Sequence, residues 1–172
     1  MGTMPHHAEH AMSVTPSWIG LVAHLHITAR AFLPMRPMEA IELVAGEGIL
    51  GDRYRIGTEA GFYSPKPEAG RQITLFEEEA LEAIRRDHGI ELRPEEHRRN
   101  VTTRGVPLTH LVGRRFRLGE CLLEATRLST PCRHIEEILE KPVLKPMTNR
   151  SGLNCRILEG GTVRLGDPIR PA

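Results

Sequence analysis

The stretch Leu128-Ser129-Thr130-Pro131-Cys132-Arg133 places one thiol at the foot of an apolar strand pattern, directly behind a proline suited to a helix's first turn. Thiolate is the form that attacks electrophiles and ligates soft metals, and it is favoured near cations and helix N-termini. Arg127, Arg133 and His134 supply cations close by in sequence. Metal ligation and sulfur chemistry are therefore open to Cys132, against the competing reading of a buried structural cysteine. Cys121 and Cys155 lie within apolar strand patterns and take the structural reading. A second constellation is Arg98-Arg99-Asn100. On a strand, Arg98 and Asn100 would share a face, pairing a bidentate anion binder with an amide that donates and accepts; a solvated basic turn is the plainer alternative. The third is Gly48-Ile49-Leu50-Gly51-Asp52-Arg53-Tyr54, where glycines admit a ligand close to the backbone and Arg53 can reach a phosphate. Asp52 is read as orienting an arginine or capping a turn. No Gly-Lys-Ser/Thr follows these glycines, and the chain shows no HExxH, no GxGxxG and no Ser-His-Asp order.

The elements that must position these groups are mostly strands. Ile19 to Ile27 and Met38 to Val44 read as strands, and the glycine- and proline-punctuated run from Gly46 to Gly70 reads as a long loop or hairpin. Arg71 to Leu75 is a short strand leading into a helix over Phe76 to His88, stopped by Gly89. Asn100 to Thr102 is a short strand and Pro107 to Leu111 one helical turn. Arg115 to Leu118 and Cys121 to Leu128 are strands. Thr130 is the expected N-cap of a helix with Pro131 at its first position, running through Ile135, Ile138 and Leu139. Asn154 to Leu158 and Thr162 to Leu165 are expected to form a hairpin through Glu159-Gly160-Gly161, before a terminal strand. The fold class is mainly β, a closed or near-closed barrel with peripheral helices.

Composition narrows the function. At 172 residues the chain suits one domain, expected over 18–172 behind a flexible leader, 1–17, that carries His6, His7 and His10. A net charge of +1 argues against bulk attraction to nucleic acid or membrane. Its cations are nearly all arginine, which suits local, bidentate recognition of phosphate or carboxylate. Three cysteines without CxxC spacing fit neither a disulfide framework nor structural zinc, and no segment is apolar enough to span a bilayer. A cytoplasmic protein is expected.

Taken in order, these segments resemble the MOSC domain, the family named for the C-terminal part of molybdenum cofactor sulfurase. The resemblance runs from about Trp18 to Ile169, through GILGDRY (Gly48 to Tyr54), RQITLFEEEAL (Arg71 to Leu81), RRNVTTRGVPL (Arg98 to Leu108), LVGRRFRLGE (Leu111 to Glu120), the TPCR element around Cys132 and EGGTVRLGD (Glu159 to Asp167). It implies a barrel of the pyruvate-kinase insert type that carries a pyranopterin molybdenum cofactor or handles sulfur destined for one. By resemblance to the mitochondrial amidoxime reducing component and the bacterial hydroxylaminopurine reductases, Cys132 would ligate molybdenum. Arg53, Arg98 and Asn100 would contact the pterin or its phosphate, Ser129 and Thr130 would line the same pocket, and Arg71 and Asn154 are weaker carry-overs. The basic cofactor-contacting strand of the amidoxime-type proteins is replaced by His26-Ile27-Thr28-Ala29-Arg30, with only Arg30 able to substitute. Pyridoxal phosphate belongs to the fused sulfurases and is not expected here.

Three functions follow. The leading one is a molybdenum-dependent reductase of small N-hydroxylated compounds, supplied by a separate electron-donor protein because the chain has no flavin or iron–sulfur motif. The second is a sulfur carrier working through a Cys132 persulfide. The third is a cofactor-binding module without catalysis. A homodimer is a possible assembly.

Overall fold

The computed structural model describes residues 17–55 and 68–172. Strand β1 (Gly20–Ile27) turns Val22, Leu25 and Ile27 into the core. A bulge between Val22 and His24 adds one residue, which is why apolar residues three apart share the inner face and why His26 points away from it. After β2 (Arg36–Pro37), β3 (Ala40–Val44) and β4 (Gly48–Ile49) come β5 (Ile73–Glu77), α1 (Glu78–His88), β6 (Val101–Arg104), a 3-10 turn (Leu108–His110), β7 (Arg115–Leu118), β8 (Cys121–Leu128), α2 (Arg133–Leu139), β9 (Leu153–Glu159), β10 (Gly161–Arg164) and β11 (Pro168–Pro171). The large sheet runs β11-β7-β8-β9-β5-β6-β1-β2 and closes where β1 pairs with β11, so seven strands form a barrel with β2 outside the ring. All pairs among the described strands are antiparallel except β5 with β6. A small sheet, β10-β3-β4, adds Ile41, Leu43, Ile49 and Val163 to the barrel's core.

Helix α1 lies outside the barrel. Its buried face, Ala80, Leu81 and Ile84, packs with Phe76 of β5, Ile135 of α2, Val143 and Met147 in a second apolar cluster. Phe76 was expected to begin this helix; it lies within β5 instead, with its ring in that cluster. Gly89 stops the helix in a left-handed conformation, φ 66, donating its N–H to Arg85 O.

Two local expectations need correction. The N-cap of α2 is Cys132, in extended conformation, with no side-chain cap. The ladder extends past β8, where Ser129 N–H donates to Gly152 O, so the backbone stays extended beyond Pro131 and the helix starts later. The Glu159-Gly160-Gly161 step is not a hairpin either. Strand β9 pairs with β8 and β5, while β10 crosses to β3. Gly160 permits the crossing, because a Cβ there would lie 2.3 Å from Leu43 O. Strand β4 falls inside the expected long loop, residues 56–67 of that loop lie outside the described residues, and so do the leader histidines His6, His7 and His10. No helix among the described residues is long and apolar enough to cross a membrane.

Candidate functional site

Three segments far apart in sequence meet at one place: the turn after β4, the residues entering β6, and the link from β8 to α2. Their lower layer is a buried polar node. Asp52 Oδ1 accepts from Thr28 N–H and from Asn100 Nδ2, each at 3.1 Å, and Oδ2 accepts from Tyr54 N–H at 3.1 Å. Asn100 also donates to His26 O at 3.2 Å, and its Oδ1 accepts from Thr74 N–H at 3.1 Å and Thr74 Oγ1 at 2.8 Å. Both amide groups of this fully buried side chain are thus committed to β1, β5 and the Asp52 turn. Expected to touch a ligand, Asn100 instead ties together the strands that carry the arginines.

Above the node, Arg53, Arg98 and Arg99 line a pocket of about 30 Å³ together with Tyr54, Cys132, His134 and Ile135. Arg53 is buried, donating to Arg98 O at 2.9 Å, to Tyr54 Oη at 3.2 Å and to Met35 Sδ at 3.3 Å, with Asp52 3.5 Å from its guanidinium. Arg98 donates to Leu33 O at 3.0 Å and has a left-handed backbone, φ 61. Arg99 donates to Ser151 O at 3.1 Å, Ser151 Oγ at 2.8 Å and Thr130 O at 3.5 Å. That fixes Arg99 against the segment bearing the exposed thiol of Cys132. None of the described residues lining the pocket is acidic. His134 feels the resulting field: its pKa is lowered by burial and then by Arg98, with Arg53 adding to the shift against an opposing Glu137. The ring of Phe32, itself 59% exposed, meets the His134 ring edge-on at 4.0 Å.

Beneath the arginines, His97 is fully buried and stacks on Phe76 at 4.3 Å. Its Nδ1 accepts Arg99 N–H at 2.9 Å, so Nε2 carries the proton shared with Thr102 Oγ1 at 2.8 Å. Burial holds its pKa well below the usual imidazole range. His26 is lowered to about 4, chiefly by burial.

Of the expected site residues, Cys132, Arg53 and Arg98 come together. Ser129 and Thr130 line an adjoining pocket of about 120 Å³ with Pro131, Thr148, Asn149 and Ser151, on the far side of Arg99, and not the thiol's own. Arg71 sits at the margin, 3.3 Å from Glu68 and 4.9 Å from the Tyr54 ring centroid. Asn154 is buried in β9 opposite Thr74, within the barrel wall. Arg30 does not line the thiol's pocket. Sequence reasoning passed over Arg99, Tyr54 and the pocket position of His134. Cys121 and Cys155 are buried, and burial pushes the Cys121 thiol up to about 11 and Cys155 further.

The chain matches the family model described as the MOSC domain over residues 50–170. Among solved structures it is similar to the YuaD protein from Bacillus subtilis, at 24% identity and a TM-score of 0.72, covering 89% of this chain and 97% of that one. It is also similar to YiiM from Geobacillus stearothermophilus (14% identity, TM-score 0.66, 89% and 75% covered) and YiiM from Escherichia coli (17%, 0.64, 91% and 70%). At these identities the likeness to solved structures establishes the barrel. No curated protein matches the chain.

Proposed function

The chain belongs to the MOSC domain family, and from that premise we propose that it is a molybdenum-cofactor-dependent reductase of N-hydroxylated compounds, with Cys132 as the metal ligand. The observation that carries this reading is the shared pocket, in which an exposed thiol and three guanidiniums border one small space. The residues fit the group. Thiolate is a soft metal ligand, and guanidiniums suit a phosphate or other oxyanion. At about 30 Å³ the pocket has room for an anionic tip, not a whole cofactor.

When bound, the cofactor would supply a two-electron metal centre able to take up an oxygen atom. This chain's own part is positioning: Cys132 Sγ offers the thiolate, Arg53, Arg98 and Arg99 hold the anion, and Asp52 with Asn100 fixes the arginine-bearing backbone from below. His134 lines the same pocket, and burial followed by Arg98 favours its neutral form. Conversion of R–NHOH to R–NH2 and water consumes two electrons and two protons, so an electron-donor protein belongs to the proposal.

Metal analysis of protein made in molybdate-fed cells tests it. Stoichiometric molybdenum and hydroxylamine reduction, both lost in Cys132→Ser with the circular dichroism unchanged, are the expected result. Metal-free protein carrying labile sulfane sulfur on Cys132 would favour the sulfur-carrier reading, which the exposure of the thiol also supports. Absence of metal, sulfane sulfur and any reduction of hydroxylamines or amidoximes would favour a binding module.

A further inference from the structure

A second cleft shares no residue with the Cys132 pocket. Its volume, about 760 Å³, lies within the range of small-molecule sites. Trp18, Leu111 and Pro171 give it apolar walls; Leu111 is buried, and Trp18 packs partly buried against the barrel core. Such an indole face suits a second ring. Around these walls stand Arg114, Arg115 and His110; none of the described lining side chains is acidic, and the backbone of Ala172 also borders the cleft. Arg115 shares its charge with Glu124 at 3.5 Å. Arg114 makes no ion pair among the described residues.

The backbone under Arg114 is held firmly. Arg114 N–H donates to Leu111 O at 2.8 Å, Arg114 O accepts from Ala125 N–H at 2.9 Å, and Gly113 N–H donates to Ala125 O at 2.8 Å. Arg114 thus has a fixed backbone, and it lines the same cleft as Trp18. We infer that this cleft is a binding site for a small aromatic anion, a carboxylate or sulfonate whose ring lies against Trp18 and whose charge meets Arg114. A neutral ring would forgo the ion contact, and an aliphatic anion would forgo the stacking.

Trp18 is the one tryptophan of the chain and reports the cleft directly. Titration of the full chain with 1-naphthoate is expected to quench its fluorescence saturably. The neutral analogue 1-naphthalenemethanol should bind about tenfold more weakly, the factor associated with losing one charge-assisted hydrogen bond. Arg114→Gln, a surface change checked by circular dichroism, should weaken naphthoate binding by a similar factor, whereas Cys132→Ser should leave it unchanged. Equal binding of the neutral analogue, or an Arg114→Gln variant that binds like the parent, overturns the proposal. So does a cleft already filled by residues 1–16 or by a second copy, which would give no saturable quenching.

Discussion

Arg98 holds a left-handed backbone, which costs a non-glycine residue about 1–2 kcal/mol. That strain explains what the sequence concealed at this position. Alternation along a strand would put Arg98 and Asn100 on one face and send Arg99 to the other, but the strand begins only at Val101. The turn at Arg98 brings Arg99 to the thiol's pocket and drops Asn100 into the core. Arginine type was therefore readable from sequence and arginine direction was not. The histidines below yield a prediction. Folding lowers the pKa of His26 and His97, so neither alters stability above about pH 6.5. Between there and about 4 the unfolded chain takes up protons first, and stability falls as pH falls. His26 alone would withdraw about 3 kcal/mol across that window. Urea midpoints measured from pH 7 to pH 4 should decline, and His26→Asn should flatten the decline; parallel slopes for both proteins would show that His26 is not sequestered.

Strand boundaries followed from apolar alternation for β7 and β8, whose expected and observed limits coincide, whereas β5, expected over Arg71 to Leu75, runs over Ile73–Glu77. Pairing partners were less legible. A glycine pair between two strands signals a hairpin, and nothing local tells the chain that Gly160 must slip past Leu43 O and deliver β10 to another sheet. The thiol's element differs from expectation for a related reason: the ladder bond from Ser129 to Gly152 prolongs extended backbone to Cys132. Gly152 is the demanding position. With φ 90 and a would-be Cβ 1.9 Å from Leu75 O, it lets the segment holding Ser151, and through it Arg99, lie against β5. Gly152→Ala is expected to lower stability by at least about 2 kcal/mol, read as the urea midpoint, because the backbone itself must move. A variant as stable as the parent would mean that the 149–152 segment relaxes freely and does not anchor Arg99.

Barrel closure rests on short pairings. Ile169 is fully buried and pairs with Gly20 on one side and Leu118 on the other. Ile169→Ala should cost about 2–5 kcal/mol. If the barrel unfolds as one unit, Trp18 fluorescence and far-UV circular dichroism will follow the same shifted urea curve; separate transitions would mean that β11 detaches while the rest stays folded. The parallel pairing of β5 with β6 has another consequence, in time. Parallel neighbours cannot be joined by a tight turn, and here the return path runs through α1 and the approach that carries Arg98 and Arg99. The arginines meet Cys132 only when a long loop has closed and β8 is in place, so the pocket they share is expected to form late in folding.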